Sequence, residues 1–298
     1  MPRRPPQSSL AAALAVLALG ACSEAPQAEP ALPPLPAGDA LPPDVEGMLF
    51  GSPDACSNDD VCVSGVCYYG ACGGLLSVDS RWMQERIAAT LKDRVDRQPP
   101  LRERVVHDLG RVLRRKSAEL PFRARVVVGL EVLGAADVLA DALPDLPEPV
   151  AEIAAPSLAR LGRAEGLAHT LALTESDALP TAVEALRALG ESHLPDALLG
   201  LLRALGPSLD TEIQVAAVEA LGALGDKRAI GPLVAYLRDA PDSLVVPVVR
   251  ALRTLSGAAL GADRDAWDAW VAKNPPPAAP PFTPREPSSE DDLGLPTP

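Results

Sequence analysis

The chain has 298 residues, of which 47% are hydrophobic but only 3% aromatic, so its apolar mass is mainly Ala, Leu and Val. Ala and Leu favour helix, and the shortage of aromatics argues against a β-sandwich or barrel. The formal net charge of −13 disfavours non-specific nucleic-acid binding, which needs a basic surface to neutralise phosphates.

Residues 1–22 read as an export signal. Arg3 and Arg4 precede the uncharged run Leu10 to Leu19, which is too short to span a bilayer core of about 30 Å. The run ends Leu19-Gly20-Ala21-Cys22, which resembles the lipobox of bacterial lipoproteins. That resemblance implies cleavage before Cys22, acylation of Cys22 as the new N-terminus, and, with Ser23 following, sorting to the outer membrane. Acyl chains contribute about 0.8 kcal/mol per buried CH₂, enough for stable anchoring when several are attached. Residues 23–55 contain no Lys or Arg and are rich in Pro, Ala and Glu. Such a composition buries too little apolar area to offset chain entropy, so a disordered tether is expected.

Cys56, Cys62, Cys67 and Cys72 fall in a 17-residue stretch, within a small segment of residues 56–79 that has no room for a core. An even number of cysteines in an exported chain points to two disulfides that supply order covalently. Three pairings are possible and the spacing does not decide among them; our reading leans to Cys56 with Cys67 and Cys62 with Cys72. Zinc is the competing reading, but structural sites usually space their thiolates two to four residues apart in reducing compartments. The segment resembles short Cys-rich modules of bacterial surface lipoproteins, a resemblance that implies an architecture and no chemistry.

From residue 80 to 273 the sequence repeats. Leu-Gly recurs at 133–134, 161–162, 189–190 and 224–225, and Ala182–Gly190 matches Ala217–Gly225 at eight of nine positions. Periods of about 28 to 35 residues indicate a solenoid. Within one unit Ile213, Ala217, Leu221 and Leu224 form one helical stripe, and Ile230, Leu233, Val234 and Leu237 a second. Thr211 and Gln214 have capping-box spacing, and Gly225 stands where a left-handed residue ends a helix. Each unit is therefore a helical hairpin, and the expected fold is all-α, with about five to six stacked hairpins. The first pair, residues 80–116, is split by Pro99-Pro100 and caps the N-terminal end.

The stretch Leu221 to Asp239 resembles the HEAT-like repeat also found in phycobilin lyases, and the resemblance extends over about residues 120–273. Leu255-Ser-Gly with Asp263, Trp267 and Trp270 resembles the closing segment of bacterial HEAT-repeat proteins; the two tryptophans are expected to cap the open end of the stack. The Pro-rich, acidic residues 274–298 are expected to be disordered.

Catalytic groupings are not apparent. His107, His169 and His193 fall in different hairpins, no strand precedes a nucleophile elbow or phosphate loop, and the carboxylate pairs Asp59-Asp60 and Asp291-Asp292 lie where solvent is expected. No metal, cofactor or small-molecule substrate is expected. Residues 80–116 carry 11 basic against 5 acidic side chains in an otherwise acidic chain. Arg111, Arg114, Arg115 and Lys116, spaced to share a helix flank, are either a solvated helix end or a contact for anionic head groups or an acidic protein. The 35-residue spacing before Leu224 is seven longer than its predecessors, which places a longer inter-repeat loop at residues 206–210, a second candidate contact. The sequence thus describes a non-catalytic, lipid-anchored scaffold of the cell envelope, facing the periplasm or the surface and binding a protein. The alternative is an enzyme or enzyme accessory related to HEAT-like bilin lyases.

Overall fold

In the computed structural model the described residues are 41–285, apart from Gly70 and Ser208. The signal, Cys22, residues 23–40 and the tail beyond Arg285 lie outside them. No helix among the described residues is long and apolar enough to cross a membrane.

Order begins earlier than composition suggests. Helix α1 (Pro43–Phe50) buries Val45, Met48 and Leu49, three apolar residues at i, i+3 and i+4. It packs on α2 (Arg81–Asp96), and Arg94 pairs with Asp44 at 2.5 Å. Residues 43–55 are therefore not part of a disordered tether; an average over the whole Pro-rich stretch hid one amphipathic helix.

The Cys-rich segment contains strands, which the sequence did not reveal. β1 (Ser52–Ala55), β2 (Cys67–Tyr68) and β3 (Ala71–Cys72) form an antiparallel sheet in the order β1-β3-β2. Strands of two to four residues are too short to show alternation, and here covalent bonds close them. The disulfides join Cys56 to Cys67 and Cys62 to Cys72. Asp59 is not merely solvated. Its carboxylate accepts from the Cys67 N–H at 2.8 Å and from Arg86 of α2 at 2.7 Å, tying the segment to the first hairpin. Leu75 and Leu76 donate backbone N–H groups to Met48 and Leu49 of α1.

Among the described residues six helical hairpins follow. They are α2 with α3 (Pro99–Arg114), α4 (Leu120–Val132) with α5 (Ala136–Ala142), α6 (Glu148–Arg160) with α7 (Leu167–Leu173), α8 (Leu179–Glu191) with α9 (Ala197–Arg203), α10 (Thr211–Leu224) with α11 (Ile230–Asp239), and α12 (Asp242–Ser256) with α13 (Arg264–Lys273). The first helices pack in an unbroken series, α2 on α4 on α6 on α8 on α10 on α12. Their Ala-rich faces let backbones approach, and Leu221, Leu233, Leu237 and Leu252 are fully buried between hairpins. Trp267 is fully buried on the last hairpin, donates its indole N–H to the Gly261 carbonyl at 2.8 Å, and meets Trp270 edge-on at 6.2 Å.

Two local expectations, the cap of α10 and the free C-terminal tail, need correction. The N-cap of α10 is Asp210, whose carboxylate accepts from the Glu212 N–H; Gln214 is buried and donates instead to the Gly206 carbonyl at 2.7 Å. Gly225 does end α10 at φ +76°, but its sequence counterpart Gly190 lies inside α8, where a Cβ would come 2.6 Å from the Ala220 Cα. The left-handed position after α8 passes to His193. Residues 274–285 are not a free tail either: Ala279 and Phe282 pack half-buried against the core, because a proline-rich strand can lie on an apolar surface without needing its own hydrogen bonds.

Candidate functional site

The first-helix side of the solenoid is concave. Packed neighbours stand about 8–10 Å apart, so a straight series would hold α2 and α8 roughly 24–30 Å from each other. Yet Arg81 of α2 reaches Glu184 of α8 at 3.4 Å. The series must curl, with these side chains inside the curve.

They belong to one charge cluster. Arg81 also contacts Glu131 at 3.5 Å and Glu85 at 2.8 Å. Arg160 meets Glu131 at 3.4 Å, Glu191 at 3.2 Å, and Glu184. The Ser157 hydroxyl donates to Glu131 at 2.5 Å. Arg160 and Glu131 are only 13% and 15% exposed, so truncating either would leave a poorly solvated charge behind. Burial works against the Arg81 charge, but Glu85, Glu131 and Glu184 outweigh it and raise its pKa above the ordinary arginine value. Two cations, Arg81 and Arg160, against four carboxylates, Glu85, Glu131, Glu184 and Glu191, leave this cluster acidic.

Shallow clefts flank the cluster in register with the helices. One of about 270 Å³ lies among Pro121, Val128, Ile153, Asp79 and Arg125, a second of about 200 Å³ among Pro156, Pro180, Glu152 and Glu184, and a third of about 280 Å³, farther along between α10 and α12, among Gly222, Pro247, Glu219 and Arg250. Between α8 and α10, Gly190 brings the backbones closest. Pro156 and Pro247 sit inside α6 and α12. A proline has no N–H, so the carbonyls of Glu152, which lines the second cleft, and of Ser243 lose their usual helical donor. Sequence reasoning missed this surface. Its visible trace was a proline interrupting each apolar stripe, in Ala-Ala-Pro-Ser-Leu and Val-Val-Pro-Val-Val.

The basic group is placed elsewhere. Arg111 and Arg114 lie on α3, Arg115 is its C-cap, and Lys116 follows in the turn, so the four do not share a helix flank. All four are exposed. Arg111 is 73% exposed and 3.6 Å from Asp108, Arg114 is 4.0 Å from Asp141, and Arg115 donates to Ser117. They stand on and just after α3, a second helix, and line none of the concave clefts. In the 206–210 loop Leu209 is buried and Gly206 is covered by Arg285 and held by Gln214, while Pro207 and Asp210 are exposed. The three histidines remain apart, on α3, on α7 and after α8. Three sulfurs, of Cys56, Cys62 and Cys72, lie within 4.8 Å of one another, but they belong to disulfides and offer no thiolate to a metal.

Against known families, residues 167–253 match the HEAT-repeat model, which covers α7 to α12. No curated protein matches the sequence. Among solved structures, a crystal structure of an engineered protein from the Northeast Structural Genomics Consortium is 20% identical, with a TM-score of 0.40 over 61% of this chain and 94% of that one. The fold is a HEAT-like α-solenoid preceded by a disulfide-bonded segment.

Proposed function

We propose that the chain is a non-catalytic scaffold, anchored through lipid on Cys22 in the outer membrane, whose solenoid binds a protein partner along its concave face. The carrying observation is the succession of clefts at helix spacing around the Arg81–Arg160 cluster. Apolar slots rimmed by carboxylates, Asp79, Glu152, Glu184 and Glu219, and by Arg125 and Arg250 follow one another along an open surface. This suits a polypeptide with basic and apolar side chains better than a small molecule, for which a closed pocket is the usual site. The lipobox resemblance supports the anchor, and two disulfides agree with an oxidising compartment. Arg111, Arg114, Arg115 and Lys116, on another side, are proposed as a separate contact for head groups or an acidic protein.

Photo-crosslinking in intact cells tests this reading. A crosslinker at Glu152, exposed beside the second cleft, is expected to capture a discrete partner, whereas one at Asp141 on α5 is not. Cys22→Ala is expected to move the protein out of the membrane fraction. Equal capture from both positions would sink the concave-face reading. A chromophore in the purified protein, or turnover of a substrate, would favour the alternative enzyme or accessory related to bilin lyases.

A further inference from the structure

After α13 the chain turns back over the solenoid. Residues 275–285 read Pro-Pro-Pro-Ala-Ala-Pro-Pro-Phe-Thr-Pro-Arg and contain no helix or strand. Their prolines hold φ near −65° and remove N–H donors, so the segment cannot join a helix or sheet. Among the described residues its one backbone N–H donated to the solenoid is that of Arg285, to the Arg203 carbonyl at 2.7 Å. The Arg285 guanidinium donates to the Thr174 carbonyl, also at 2.7 Å.

Both acceptors lie at helix C-termini, of α9 and α7, where the last carbonyls lack helical donors and the dipole is negative. Gly206 makes the approach possible, since a Cβ there would stand 1.9 Å from the Arg285 carbonyl oxygen. Beside the guanidinium a cavity of about 280 Å³ remains, walled by Leu171, Leu199, Gly200, Glu175 and Asp196. Leu199 is one of the few large apolar side chains left exposed. Glu175 already holds the cation native to the groove, Arg203, at 3.4 Å. Carbonyls, carboxylates and an apolar wall together form a socket for a guanidinium on a strand that needs few backbone hydrogen bonds.

We propose that this socket between α7 and α9 recognises the arginine of an extended, proline-rich segment of a protein partner, and that residues 275–285 fill it in cis as a displaceable latch. The site lies on the second-helix side, so the proposal does not rest on the concave-face reading. The latch has few anchors, Arg285 with half-buried Ala279 and Phe282, and its hold comes largely from being covalently linked. A short tether gives an effective concentration in the millimolar range, which keeps the site closed to weak competitors.

The test titrates a labelled synthetic peptide copying residues 275–288 into the full-length chain, followed by fluorescence anisotropy. Binding to the wild-type chain is expected to be weak. Arg285→Ala, which withdraws the chain's own arginine, is expected to tighten peptide binding at least ten-fold. A peptide with Ala at its arginine should lose that gain, and adding Gly206→Val to the Arg285→Ala chain should abolish it. Phe282→Ala, which loosens the latch without touching the socket, gives an independent version of the same readout, with circular dichroism confirming the fold of each variant. If neither loosened chain binds the peptide more tightly than wild type, or if the arginine-free peptide binds equally well, the proposal is wrong.

Discussion

Replacing Gly190 by alanine sets helix propensity against packing. In an exposed helix interior the change would stabilise by about 1 kcal/mol. In α8, however, the new Cβ would meet the Ala220 Cα at 2.6 Å and the Ala220 carbonyl oxygen at 2.8 Å. These are backbone atoms of α10 and cannot rotate aside, so the two helices must separate. Overpacking of this kind costs about 1–3 kcal/mol, and backbone contact puts it at the upper end. Offset by the propensity gain, the net loss is about 2 kcal/mol. For a folded region of this size that lowers the unfolding midpoint by roughly 4–8 °C. Gly225→Ala also destabilises, by about 1–2 kcal/mol, for the unrelated reason that φ is +76° there. Asparagine separates the two causes. It tolerates the left-handed region, so Gly225→Asn should retain most of the stability, whereas the bulkier Gly190→Asn should lose more than Gly190→Ala. Thermal unfolding followed at 222 nm reads all four variants. A neutral or stabilised Gly190→Ala would refute the close packing of α8 on α10.

Leu233→Ala removes a fully buried side chain between hairpins and should cost about 2–5 kcal/mol in urea unfolding; a neutral result would mean the register of α11 is wrong. The Asp59 carboxyl is held below the ordinary aspartate value, first by the Cys67 N–H and then by Arg86. A depressed folded-state pKa stabilises above the unfolded value and is lost as pH falls through the folded one. Acidification below the ordinary aspartate range should therefore release the Cys-rich segment from α2, seen as faster exchange of the Cys67 amide, and Asp59→Asn should abolish that pH dependence. Each disulfide closes a short loop, for which the chain-entropy account gives about 3 kcal/mol or slightly less. Reduction should melt the small sheet while most helical signal survives; loss of most of that signal would show that the segment supports the whole array.

What the sequence determined by itself is the set of properties that live within a few residues or one repeat. Stripes such as Ile230, Leu233, Val234 and Leu237 specify a helix because i, i+3 and i+4 share a face in any context. The recurrence of such pairs requires stacking, since one hairpin cannot bury its own apolar side. Composition over long windows served less well, averaging away α1 within the Pro-rich stretch and the packing of Phe282 within the C-terminal one. Two nonapeptides that match at eight of nine positions end differently in the folded chain. Gly190 lies inside α8, where the Ala220 backbone leaves no room for a side chain, while Gly225 follows α10 in the left-handed region with no such neighbour. Tertiary structure alone decided the curvature that brings Arg81 to Glu184, the placement of the basic group apart from the concave clefts, and the docking of Arg285 on Arg203 and Thr174. These depend on contacts between residues far apart in the chain, whose distances are set by the accumulated geometry of every hairpin between them.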